Sequence, residues 1–126
     1  MWYIRRAVAG NPNTPKEIIA KLSLDEDPNV RWCAAGNPSA PSGVLEKLAN
    51  DEDWDVRYSV AGNPSASSEV LMRLAKDEKI LVQFAVVGNQ SASVEVLEDL
   101  KRSVNTNLSK TASERLDELR KRAKIK

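Results

Sequence analysis

Gly36-Asn37-Pro38 returns as Gly10-Asn11-Pro12 and Gly62-Asn63-Pro64, and a changed copy stands at Gly88-Asn89-Gln90. Successive glycines are 26 residues apart. A fixed period of this size marks an architecture of stacked repeats, each too small to fold alone. Working outward from one copy, Ser65-Ala66-Ser67-Ser68-Glu69 opens a helix, with a serine to cap the free N–H groups and Glu69 in the first turn. Val70, Leu71, Leu74 and Ala75 then form one apolar face at helical spacing. This is helix A, and Ile18-Ile19-Leu22, Val44-Leu45-Leu48 and Val96-Leu97-Leu100 are its counterparts. Thr14-Pro15-Lys16-Glu17 reads as a capping box with proline at the first helical position.

An acidic joint follows each helix A, as Asp25-Glu26-Asp27, Asp51-Glu52-Asp53 and Asp77-Glu78-Lys79. Its third residue can cap helix B, which runs through Val30-Arg31, Val56-Arg57 and Val82-Gln83 to the next glycine. Gly36, Gly62 and Gly88 are expected to close helix B in a left-handed conformation, with Pro38 and Pro64 preventing continuation. The predicted fold is all-α: an α-solenoid of about four 26-residue repeats, each a long helix A and a short α or 3₁₀ helix B. The repeats span residues 4–29, 30–55, 56–81 and 82–107 of a single domain. A terminal capping helix is expected over about 106–122, from the stripe of Leu108, Ala112, Leu116 and Leu119, with a basic tail at 123–126.

Asn-Pro, helix A, an acidic joint, Val-Arg, a small apolar run and a return to Asn-Pro resembles the leucine-rich repeat variant family over residues 4 to about 103. The resemblance implies a short right-handed superhelix, related in shape to HEAT-type repeats. It implies little about activity. Gln83 and Gln90 depart from the pattern, and the cysteine-rich iron–sulfur segment of some members has no counterpart here.

Net charge runs from +1 over residues 1–50, through −6 over 51–100, to +6 over 101–126, an asymmetry suited to orienting a partner. One cysteine, Cys33, and no histidine exclude an internal disulfide and a Cys/His zinc site. Neither a signal-peptide core nor a membrane-span-length apolar run occurs, so a cytoplasmic protein without membrane contact is expected. With no His, no phosphate-binding glycine loop and no serine beside a base, the sequence is not expected to be an enzyme or to need a cofactor.

Columns read down the repeats separate scaffold from surface. Ile4, Val30, Val56, Val82 and Leu108 form one core column, and Val8, Ala34, Val60 and Val86 another. Asn11, Asn37, Asn63 and Asn89 are expected to bond turn backbone from repeat to repeat. With about 100° per residue, the positions of Tyr58 and Trp54 lie opposite Val56 on helix B. Their columns are Arg6, Trp32, Tyr58, Phe84 and Trp2, Pro28, Trp54, Ile80. Five of the six aromatic residues therefore fall on one stripe, and only Tyr3 lies off it. The expected function is a protein-binding scaffold that uses Trp2, Trp32, Trp54, Tyr58, Ile80 and Phe84, rimmed by Arg31 and Arg57. Two alternatives stay open: nucleic-acid binding through Arg5, Arg31, Arg57 and the basic C-terminal helix, and a homodimer through the N-terminal edge, where Trp2, Tyr3, Ile4 and Val8 have no preceding repeat to cover them. For the arginines themselves the first expectation is pairing with the acidic joints, Asp25 with Arg31 and Asp51 with Arg57, within or between repeats. The alternative is a phosphate- or carboxylate-binding ridge.

Overall fold

A computed structural model describes residues 1–125. Among these the chain is all-helical, with nine helices and no strand. In order they are α1 (Trp2–Gly10), α2 (Lys16–Leu22), α3 (Pro28–Gly36), α4 (Ser42–Leu48), α5 (Trp54–Ala61), α6 (Ser68–Leu74), α7 (Ile80–Gly88), α8 (Val94–Lys101) and α9 (Thr106–Ile125). The expected lengths of helix A and helix B are reversed. The even-numbered helices have 7 or 8 residues, whereas α1, α3, α5 and α7 have 8 or 9 and are α-helical. The joint's third residue is itself the N-cap, so helix B starts two residues before its core valine. The terminal helix also runs through Ala123 to Ile125, where a tail was expected; Lys126 lies outside the described residues.

Side chains explain the starts. Ser67 and Ser93 accept the N–H of Val70 and Val96, capping α6 and α8. The capping box expected at Thr14 does not form, because the Thr14 hydroxyl donates back to the Val8 carbonyl at 2.6 Å. In each joint the first aspartate accepts the N–H two residues on: Asp25 from Asp27, Asp51 from Asp53, Asp77 from Lys79. These Asx turns aim the chain into helix B. Asp27 then caps α3 by accepting from Asn29.

The left-handed glycine caps do not occur: no described glycine has a positive φ. Helix B instead ends when the asparagine becomes extended, with ψ of 121° at Asn37 and 126° at Asn89. Before Pro38 the α region is sterically disfavoured. Asn89 has no proline after it, and its side-chain bonds impose the same geometry. Gly36 is required by space, since a Cβ there would fall 2.9 Å from the Ser59 hydroxyl, whereas one at Gly88 would meet nothing within 4 Å. Gly88→Ala should therefore stabilise the protein by about 0.5–1 kcal/mol, from the lower backbone entropy of alanine in a helix. Denaturant unfolding checks this, and a left-handed residue 88 would give a loss instead.

The odd-numbered helices pack directly on one another, α1 on α3, α3 on α5, α5 on α7 and α7 on α9, and each even-numbered helix touches its sequence neighbours. Val30, Val56, Val82 and Leu108, with Ala34, Val60, Val86 and Ala112, are fully buried between them, and Leu45, Leu71 and Leu97 close the core from the even helices. Polar bonds follow the same spacing. Asn37 Nδ2 donates to the carbonyls of Ala9 and Asn11, Asn63 to those of Ala35 and Asn37, and Asn89 to those of Ala61 and Asn63, all at 2.7–2.9 Å. Each Oδ1 also accepts the N–H of the serine two residues on. That serine's hydroxyl donates to the carbonyl of Pro12, Pro38 or Pro64 in the turn before. Arg115 occupies the next position of the asparagine column, 26 residues past Asn89, and its guanidinium donates to the Asn89 carbonyl. No helix of the described residues is long and apolar enough to cross a membrane.

Candidate functional site

The expected site divides in two. Arg31 and Arg57 are clamps across successive joints, and Arg31 also reaches Asp53, which lines the cavity beside Trp32. Arg31 donates from Nε and Nη2 to the carboxylate of Asp51, from Nη2 to Asp53, and from Nη1 to the carbonyls of Asp25 and Glu26. Arg57 makes the same fork to Asp77 and bonds the carbonyls of Asp51 and Glu52. Both guanidinium groups are held above their ordinary pKa, chiefly by the carboxylate hydrogen bond. A planar fork that grips one joint's carboxylate and another's carbonyls is a use to which arginine, not lysine, is suited. The arginines open onto shallow grooves of the joint side, with Lys47 near Arg31 and Arg73 near Arg57.

Arg5 pairs with Asp25 in the same way, at 2.6 Å. Its hydrogen bond, followed by that from the Asp27 N–H, holds the Asp25 carboxyl below its ordinary range. The unfolded chain then binds more protons than the folded one between the two pKa values, so stability rises with pH there. Acidification below about pH 4 should lower the melting temperature, and Asp25→Asn should flatten that part of the profile. An unchanged slope in the variant would place the acid sensitivity elsewhere.

The aromatic residues occupy the side of the odd helices away from the core. Trp32 is 42% exposed and Tyr58 43%, while Trp2 and Ile80 are similarly open. Trp54 and Phe84 do not share this exposure: both are half-buried against the core. On the helix wheel Trp54 lies only about 20° from the fully buried Ala61. Trp54 also meets the Tyr58 ring edge-on at 6.3 Å and is covered by the Lys79 ammonium at 5.6 Å. The Trp54 ring thus supports that of Tyr58, while Phe84 faces Thr111 and Arg115 of α9 across a shallow groove.

Tyr3 and Leu81, which the sequence leaves off the stripe, complete the face together with Arg6, which it places on it. Tyr3 stands edge-on to Trp2 at 6.2 Å and lines a shallow groove with Arg6, Ala7, Gly10 and Cys33. Arg6 lies over the Trp2 ring at 6.0 Å. Leu81 is more than half exposed, in the same wheel column as Tyr3 and Asp55. That column, one residue before each core valine, carried the missed signal. Cys33 is a free thiol, partly buried as part of the groove wall. Beside Trp32 a cavity of about 290 Å³ is lined by Arg6, Pro28, Asn29, Trp32, Asp53 and Asp55. Asp53 is already held by Arg31 at 3.1 Å and Arg6 lines the same cavity, so Asp55, with no ion pair among the described residues, is the carboxylate open to a cationic side chain beside the ring.

No protein-family model, curated protein or solved structure matches this chain.

Proposed function

We propose that the protein is an α-solenoid of four 26-residue repeats, of the leucine-rich repeat variant type, acting without catalysis as a protein-binding scaffold. The partner lies along the odd-numbered helices, on Trp2, Tyr3, Trp32, Tyr58, Ile80 and Leu81. The observation that carries this reading is the exposure of large aromatic side chains along consecutive helices whose cores are complete without them. Rings with few rotors gain contact area at low entropic cost, and they dominate interface energies. Asp55 beside Trp32 favours a partner segment that presents a lysine or arginine between apolar residues.

The same carboxylate disfavours a phosphate backbone, and the Arg5, Arg31 and Arg57 forks are engaged by Asp25, Asp51 and Asp77. Trp32→Ala with Tyr58→Ala should weaken binding of the native partner, purified from source cells, by roughly 2 kcal/mol or about thirtyfold. The melting temperature should change little. Loss of folding would make the rings part of the core. Binding to single-stranded nucleic acid with a steep salt dependence would favour the nucleic-acid reading instead.

A further inference from the structure

The aromatic face carries two separate places for a positive charge, and the repeat register fixes what lies between them. The first is the cavity beside Trp32, where Asp55 is the open carboxylate. The second is a cavity of the same size, about 290 Å³, between α7 and α9, with Phe84 and Gly88 on one wall and Thr111, Glu114, Arg115 and Glu118 on the other. Phe84 belongs to the Trp32 column, 52 residues on. Glu114 and Glu118 are exposed, and among the described residues neither forms an ion pair. Arg115 is no rival site for an anion: it donates to the Asn89 carbonyl, and its unpartnered Nε is buried. Two open carboxylates against one occupied guanidinium leave the mouth of this groove acidic. A Cβ at Gly88 would meet nothing within 4 Å, so its floor is open. Between the two cavities the face is apolar. Leu81 stands to Tyr58 as Asp55 stands to Trp32, 23 residues on in each case, and both Tyr58 and Leu81 are exposed.

We infer that the partner is an extended basic segment of another polypeptide, with two lysine or arginine residues about five or six positions apart and an apolar residue between them. One cation enters beside Trp32 and Asp55, the apolar side chain rests on Tyr58 and Leu81, and the second cation enters beside Phe84, Glu114 and Glu118. In each cavity a ring and a carboxylate meet the same charged group. The spacing follows from the packing. α5 lies between α3 and α7, and packed helices are about 8–10 Å apart. The two cavities are therefore about 16–20 Å apart, a distance that an extended chain covers in about five or six residues at roughly 3.3 Å each. Separate cavities of this size take single side chains, as an extended chain presents them, whereas a docked helix needs one continuous apolar groove. The balance of −6 over residues 51–100 draws a basic segment to this part of the chain. The inference rests on the protein-binding reading above and adds the partner's charge pattern to it.

The test titrates the whole chain with synthetic glycine-serine peptides that carry two lysines around a central leucine, the lysines set from about 3 to about 13 positions apart. Affinity, read by tryptophan fluorescence at low salt, should peak at about five or six positions. There it should exceed that of the single-lysine peptides by about fivefold. Asp55→Asn should abolish the contribution of one lysine, and Glu114→Gln with Glu118→Gln that of the other. All three carboxylates are exposed, so the melting temperatures of these variants should change little. No binding of any peptide, equal affinity at all spacings, or a peak at the roughly 11–13 positions with which a helix covers the same distance would overturn the inference. Peptide binding that is lost in Trp32→Ala with Tyr58→Ala, yet unchanged by the three acid substitutions, would overturn it and leave the aromatic face standing. Native partner binding that ignores both rings would remove the protein-binding reading of this face as well.

Discussion

Asn63→Ala should destabilise the protein by about 3–4 kcal/mol, the largest effect expected of any single polar substitution here. The side chain is buried, and it holds the carbonyls of Ala35 and Asn37 and the N–H of Ser65. Alanine would leave the Ala35 carbonyl without a partner where water has little access, at about 1–3 kcal/mol, and would remove one bond each from the Ser65 N–H and from the Asn37 carbonyl, which keeps the Ala40 N–H, at about 1 kcal/mol apiece. The loss falls at a junction, so it acts on α3 and α5 together. Asn11→Ala is the control: its one side-chain bond, to the Asn13 N–H, is exposed, and its cost should stay under about 0.5 kcal/mol. Urea unfolding of the two variants measures the difference directly. Equal costs would mean that the asparagines serve only their own turns.

Arg57→Gln should cost about 2–3 kcal/mol, because the Arg57 and Asp77 side chains are only 11% and 7% exposed and the carboxylate would lose its fork. The chain carries a version of the remedy. Twenty-six residues after Arg57 stands Gln83, and twenty-six after Asp77 stands Ser103. Gln83 keeps the bond to the Asp77 carbonyl of its own joint. Without a carboxylate to face, a neutral amide suffices. Arg57→Gln combined with Asp77→Ser should therefore cost less than Arg57→Gln alone, and a double-mutant cycle would read the difference as a coupling of about 1 kcal/mol or more. Simple additivity would show that the clamp contributes through its carbonyl bonds only.

How much of this was legible in the sequence depends on how far each feature reaches. The period, the valine columns and the asparagine ladder were legible, because each repeats one local environment and needs only a neighbour of the same kind. Pairing of the arginines with the acidic joints was legible as well, but which joint each would reach was not. Arg31 reaches Asp51, 20 residues on, and a wheel drawn for one helix cannot say which joint lies across from it. The glycine caps failed for a local reason: Asn37 before Pro38 leaves the α region itself, so Gly36 can stay helical. Trp54 and Tyr3 mark the resolution of the wheel. Exposed Trp2 shares the phase of half-buried Trp54, and half-buried Phe84 shares that of exposed Tyr58, so the packing of the neighbouring helices, not phase, decides which side of the boundary a ring takes. Thr14 has the residues of a capping box, and its hydroxyl is drawn instead to the end of α1.

The aromatic face can be tested most directly by photo-crosslinking in the source cells, with benzoylphenylalanine placed at position 32, at position 58, and at exposed Glu69 on α6 as a control. The docking account predicts one protein adduct shared by positions 32 and 58 and absent at 69. Adducts of equal yield at all three positions, or none at 32 and 58, would contradict it.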